Sequence, residues 1–292
     1  MDCCIIIGFS YSSKYEDKTR PFLDGIIIDL YLCYRYVKEL TDKSNIIVIT
    51  DQTTNVNSTN KNIIFDETDN INVLKFIDEL HNNKILHLYT SKSELLSLLN
   101  KKLNGSKNIF FYYTGHSYSG NILLPKMNDM ICYNYLKEED TILNFLELRN
   151  IICSNSNVNA EIFIILDCCN SNGLELPYKL SDGVYRLNFK KEGGYPLQKI
   201  VCFSSTYIDE NSIILKNGSI FTKLLFDNIK IYRKIQDLLK IIVLECLKDF
   251  DQNANVYSSY PNIKMIWRWL VKNDDIKVEI DHINNFFILK RK

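Results

Sequence analysis

The chain predicts an α/β fold built on a mostly parallel six-stranded sheet with helices on both faces. Three observations predict it. Short continuous apolar runs recur, among them CIIIGF, NIIVIT, NIFFYY and EIFIIL, and runs of that kind suit strands buried on both sides. Segments with apolar residues three and four apart separate them, the spacing of amphipathic helices. The chain, at 292 residues, is also long enough to bury a sizeable core. In such folds the loops at the carboxyl ends of the strands form the crevice where ligands bind.

Taken in order, Cys3 to Phe9 predicts the first strand, followed by a polar loop from Ser10 to Arg20. From Pro21 to Leu40 the apolar spacing (Phe22, Ile26, Leu30, Cys33, Tyr34, Val37) predicts a long helix, with Asp29 interrupting its apolar stripe. Asn45 to Thr50 is the second strand, ending on Asp51, and the Thr-, Asn- and Ser-rich stretch Gln52 to Asn62 is a loop. A helix over Asn70 to Leu80, a weaker strand over Lys84 to Tyr89, and a helix over Ser91 to Leu103 capped by Ser91 or Ser93 come next. Ile109 to Tyr113 is a strand with Thr114, Gly115 and His116 at its end. Beyond Pro125 a less regular piece leads to a helix from about Glu138 to Cys153, then the strand Ile162 to Leu166, which runs into Asp167, Cys168 and Cys169. Ser181 to Pro196, with three glycines, reads as a long surface loop, and Lys199 to Phe203 is a strand ending at Ser204 and Ser205. Helices follow Gly218-Ser219 and span Ile235 to Leu247; the alternating tail reads as a hairpin or an added strand pair. The expected division is a main domain over 1–272 and a strand-like extension over 273–292.

Composition removes several function classes. Lys+Arg and Asp+Glu are equal at 35 each, so no general pull towards nucleic acid or anionic membrane is built in. No window reaches the length of a membrane span, and the N-terminus lacks the basic start of a signal peptide. The nine cysteines are odd in number, with two adjacent pairs and no CxxC spacing, which is neither a disulfide framework nor a zinc site. A reducing cytoplasmic setting and a monomer are expected.

Asp51, His116, Asp167, Cys168, Cys169 and Ser205 all follow strands directly, so the strand order gathers six chemically useful side chains at one edge. A thiol needs a base to become a nucleophile at neutral pH. Of the four histidines (His81, His87, His116, His282), only His116 follows a strand in a Gly-flanked turn. On spacing alone, Cys169 reads either as a nucleophile or as a buried structural thiol.

TGHS followed fifty-three residues later by DCCNSNG resembles the catalytic pair of the caspase-like cysteine peptidases, and most closely the metacaspases. Their Y-S-G-H-G, D-[CS]-C-H-S-G and Leu-Asp-Leu-Pro runs are similar to Tyr113-Thr-Gly-His116-Ser, Asp167-Cys-Cys-Asn-Ser-Asn and Leu174-Glu-Leu-Pro177. CIIIGFSY, FLDGIIID, NIIVITD, NILLP, FSSTYIDENS and GSIFTKLL resemble further family segments. The resemblance implies a caspase-like three-layer sandwich and a cysteine endopeptidase cleaving protein or peptide substrates after Arg or Lys. It implies Cys169 as nucleophile, His116 as general base and acid, Cys168 turned to the core, and an oxyanion hole from the backbone N–H groups of Cys169 and Ser117. It also implies an S1 pocket from Asp51, Thr114 and Asp167, with Ser205 placed beside them. Calcium activation would involve Glu139, Asp140 and Glu175, which an ordinary acidic helix start and turn explain equally well, and Met127 stands where an acid is expected. No cofactor is required for the thiol chemistry itself. Lys190 to Gly194 is a candidate self-cleavage loop. Ser117, Asn170 and Asn172 depart from the family pattern and favour the rival reading, a scaffold that kept the fold and lost turnover; a second rival, preference for Asp, requires basic pocket residues.

Overall fold

In the computed structural model the described residues are 1–11, 22–51, 62–64, 70–125, 138–181, 184–188, 195–207, 209–232, 235–250, 252–261, 276–281 and 286–291. Nine strands make the central sheet: β1 (Cys3–Gly8), β2 (Ile46–Thr50), β3 (Leu86–Leu88), β4 (Asn108–Thr114), β5 (Glu161–Asp167), β6 (Tyr178–Ser181), β7 (Val184–Leu187), β8 (Lys199–Ser204) and β9 (Asn255–Ser258). Their order across the sheet is β7-β6-β9-β8-β5-β4-β1-β2-β3. The six strands expected from sequence are the parallel block β8-β5-β4-β1-β2-β3, and β9, β6 and β7 extend it antiparallel at one edge. A thoroughly apolar strand must be covered twice, and here it is.

The helices are α1 (Ile26–Val37), α2 (Val73–Asn82), α3 (Lys92–Leu103), α4 (Phe145–Asn155), α5 (Ile220–Asn228) and α6 (Ile235–Phe250). Alternate residues of β1 divide between two cores: Cys4 and Ile6 pack with residues of α1, α2, α5 and α6, while Cys3, Ile5 and Ile7 pack with Leu95, Leu99 and Leu103 of α3 and Phe145, Leu148 and Ile152 of α4. The period of two along a strand thus produces the three layers.

Several expected boundaries are corrected. The helix expected over Glu138 to Cys153 is a 3-10 turn (Glu138–Thr141), a short strand (Ile142–Asn144) paired with Asn121–Leu123, and then α4. Helix starts only at Asn144 because its side-chain oxygen accepts the Leu146 N–H at 2.8 Å, an N-cap that fixes the entry. Part of the loop expected over Ser181 to Pro196 is ordered as β7, which pairs with β6 and buries Tyr185 while Val184 and Arg186 face out. Asn70–Asn72 pair with Asn62–Ile64, delaying α2 to Val73, and α1 begins at Ile26. Ser91, not Ser93, caps α3, accepting the Glu94 N–H. The tail forms the antiparallel pair Ile276–Asp281 and Phe286–Arg291. The polar loops expected after the first two strands, and Met127 and Lys190 to Gly194, fall wholly or largely outside the described residues.

Candidate active site

Two adjacent parallel strands, β4 and β5, set the geometry. Their register pairs Thr114 with Asp167, so His116 and Cys169 each lie two residues beyond a matched pair, on strands about 4.8 Å apart. The Gly115 N–H donates to the Asp167 carbonyl at 3.3 Å, and the Ser117 hydroxyl donates to the Cys169 carbonyl. The turn that carries the imidazole is thereby fastened to the turn that carries the thiol. His116 and Cys169 are both partly exposed, while Cys168 is buried among the α3/α4-side core residues, turned inward as expected. His81 and His87 lie on α2 and β3, and His282 is outside the described residues.

The turn after the thiol is unusual backbone held by many partners. Asn170, Gly173, Leu174 and Glu175 all have φ between 49° and 62°, the left-handed region. Asn tolerates that conformation, so Asn170 serves where the family pattern has another residue. Leucine and glutamate do not favour it, and Arg149, itself buried, donates Nη1 to the Leu174 and Glu175 carbonyls at 3.4 and 2.9 Å. Gly173 is required sterically as well, since a Cβ there would lie 2.1 Å from the Tyr257 ring. Ser171, Ser204 and Thr206 interlock their hydroxyls beneath this turn.

The loop after β8 reaches the sulfur. Ser212, eight residues past β8, points its N–H at Cys169 Sγ at 3.3 Å and its hydroxyl at Asp167 Oδ1 at 2.7 Å. The segment is anchored by Asn170 N–H to the Glu210 carbonyl (3.0 Å) and by Asp209 N–H to Asn170 Oδ1 (2.8 Å). Burial pushes the Cys169 thiol up, the Ser212 N–H pulls it back, and the Asp167 carboxyl raises it. The group is therefore a thiol at rest, and a base must take its proton before it can attack.

Beneath the sulfur lies a carboxylate pair. Asp167 is fully buried, accepting from Ser212 at Oδ1 and from Thr222 at Oδ2 (2.5 Å). Asp29, equally buried on α1, accepts from the Ser219 N–H at Oδ1 (2.7 Å) and from the Thr114 hydroxyl at Oδ2 (3.2 Å). Burial, then the neighbouring Asp167, hold the Asp29 carboxyl well above the usual carboxylate range; burial also raises Asp167, against the hydrogen bonds of the hydroxyls around it. Ser205, buried as well, accepts the Cys168 N–H, and its one hydroxyl proton lies within reach of the Cys168 carbonyl (3.3 Å) or Ser212 Oγ (3.2 Å).

Asp51 stands apart from this hydrogen-bond network. Asp51 directly follows β2, which lies three strand spacings or roughly 14 Å from β5. Its Oδ1 accepts the N–H and hydroxyl of Ser10, which makes it a tie between two loops. Asp29, rather than Asp51, accepts from Thr114 and lies beside Asp167, and Ser212 and Thr222 join the network without having been singled out. The signal for Asp29 was present, since a carboxylate in the apolar stripe of a buried helix needs a reason.

The acids expected to hold calcium do not gather. Glu139 and Asp140 are exposed at the 3-10 turn, whereas Glu175 lies by Arg149 in the turn after Cys169. Among the described residues no group of three or more His, Cys, Asp or Glu side chains forms a metal site. As placed, Glu139, Asp140 and Glu175 do not fit a shared calcium ion, whose six to eight oxygen ligands must converge. No helix among the described residues is long and apolar enough to cross a membrane.

The architecture is thus a doubly covered, mostly parallel sheet with His116 and Cys169 just beyond two neighbouring strand ends. The chain belongs to the caspase-domain peptidase family, whose profile matches residues 1–265, and is thus a caspase-family cysteine peptidase domain. Among solved structures, it is similar to the crystal structure of protein GSU0716 from Geobacter sulfurreducens at 12% identity, with a TM-score of 0.51, over 88% of this chain and 92% of that one. At that identity the likeness concerns the fold. No curated protein matches the chain.

Proposed function

We propose that the protein is a metacaspase-type cysteine endopeptidase that cleaves after Arg or Lys through a Cys169–His116 dyad. The observation that carries this reading is the register of β4 and β5, which brings the two turns together above a buried carboxylate pair. His116 accepts the Cys169 proton as the sulfur attacks the scissile carbonyl, forming a tetrahedral intermediate. The backbone N–H groups of Cys169 and Ser117 face its oxyanion. Collapse gives an acyl-enzyme as His116 protonates the leaving amine; water, deprotonated by His116, then releases the acid.

The acidic pocket selects the residue before the cut. Asp29 and Asp167 are costly to ionise without a counter-ion, and a guanidinium or ammonium group supplies one. A carboxylate side chain would meet like charge, which argues against preference for Asp. Entry of a basic side chain requires the Ser212 hydroxyl to leave Asp167 Oδ1. The Ser212 N–H on Cys169 Sγ favours the second reading, a caspase-fold scaffold that has lost turnover.

The test is an assay of purified protein on fluorogenic peptides ending in Arg, Lys or Asp, with calcium and with chelator, against Cys169→Ala. Cleavage after Arg or Lys that is lost in Cys169→Ala is expected. Cleavage after Asp sinks the pocket, and no cleavage under any condition favours the scaffold.

A further inference from the structure

His116 sits between two tyrosine hydroxyls. Tyr11, just past β1, places its Oη 2.9 Å from the His116 N–H, which donates to it, and gives its own proton to the Leu123 carbonyl at 2.7 Å. Tyr113, three residues before the histidine, donates to the His116 carbonyl at 2.7 Å, and the Leu123 N–H donates to that same oxygen at 3.0 Å. The two hydroxyl oxygens are 3.3 Å apart. Each phenol carries one proton, and the two short bonds to carbonyls use both. The peptide planes before and after the His116 Cα are therefore both held, the first by Tyr11 and the second by Tyr113 and Leu123.

Tyr11 also touches the side chain. Its ring centroid is 4.6 Å from that of the imidazole, with an interplanar angle of 41°. This residue is 7% exposed and has φ 59°, a conformation that a tyrosine adopts only when its surroundings impose it. Gly115, at φ 150°, completes the arrangement: a Cβ there would lie 2.8 Å from the Tyr113 hydroxyl and 3.1 Å from that of Tyr11. The glycine before the histidine is thus explained by the two phenols it must pass.

We infer that Tyr11 is a positioning residue for His116, fixing the backbone plane and the ring face from which the imidazole reaches the thiol, with Tyr113 as its partner on the opposite peptide. It acts through the histidine and does not touch substrate. The inference rests on the dyad reading above.

Tyr11→Phe keeps the ring and removes the oxygen. It is expected to lower kcat about tenfold or more while KM stays within about twofold, because small misplacements of a catalytic group cost rate. Tyr113→Phe, from the other side, is expected to act in the same direction. The pH dependence of Cys169 alkylation by iodoacetamide, read by peptide mass spectrometry, is expected to move in Tyr11→Phe towards that of His116→Ala. If the wild type cleaves peptides and Tyr11→Phe matches it in kcat, the inference is overturned and the dyad stands. If no peptide is cleaved by any form, the alkylation profile decides alone, and one unchanged in Tyr11→Phe overturns it. If His116→Ala matches the wild type in both measurements, the dyad itself fails and the positioning role with it.

Discussion

Asp29→Asn is the perturbation that most sharply separates a specificity role from a structural one. Asparagine has the same shape: its oxygen can still accept the Ser219 N–H held at 2.7 Å, and its amide can donate to the Thr114 hydroxyl 3.2 Å away. What is lost is a charge that burial and Asp167 make costly to form. Two opposite effects follow. Truncating one partner of a desolvated charge pair costs roughly 2–4 kcal/mol, so kcat/KM on Arg and Lys peptides should fall by roughly 30- to 900-fold. Stability should move the other way. A carboxyl whose folded-state pKa is raised above its ordinary 3.8 contributes stability that is fully present below 3.8 and is lost as pH rises through the folded value. Asparagine carries no such loss, so the Tm of Asp29→Asn relative to wild type should be nearly unchanged near pH 4 and increasingly favourable towards pH 7. The measurements are steady-state kinetics on Arg and Lys peptides and thermal melts across that range. Retained Arg and Lys cleavage would refute the pocket, and a Tm that falls relative to wild type as pH rises would refute the electrostatic argument.

Ser212→Ala removes the hydroxyl that competes for Asp167 Oδ1 but leaves the backbone N–H on the sulfur; KM for Arg peptides should drop by roughly fivefold, the worth of about 1 kcal/mol, with kcat little changed. An unchanged or higher KM would remove Ser212 from the entry path. Gly173→Ala drives a Cβ to 2.1 Å from the Tyr257 ring at φ 62°, which should cost about 3 kcal/mol or more and lower Tm by on the order of 6–12 °C. A melt within about 2 °C of wild type would show that the turn after Cys169 can relax.

The parallel block was legible because its strands are almost wholly apolar, and strand ends could be counted without knowing which strands are neighbours. His116 and Cys169 follow from that reading together with the family-like motifs around them. What could not be read was lateral order. Asp51 and Asp167 both read as following strands, yet β1 and β4 stand between β2 and β5, and Asp51 bonds to Ser10 while Asp167 bonds to Ser212 and Thr222. Strand order depends on how helices pack on the two faces, and no local pattern encodes it. The antiparallel additions were missed for a related reason. The chain at Val184–Leu187 buries only Tyr185, too little alternation to distinguish an edge strand from a loop.

Asp29 marks a different limit, because its signal was legible and its meaning was not. A carboxylate in a buried helical stripe can be a ligand, a cap or a mistake of register, and only its neighbours decide. Here they are Thr114 at the end of β4, Ser219 before α5, and the charge of Asp167 at the end of β5. Four segments far apart in sequence thus contribute to one buried hydrogen-bond network, and each contribution alone is an unremarkable polar residue. The cost of keeping two carboxylates there is a local destabilisation that the core must offset. Perturbed buried carboxyls cluster at functional sites, and it is on this ground that the proposed basic ligand is placed at Asp29 and Asp167, with Asp29→Asn as its test.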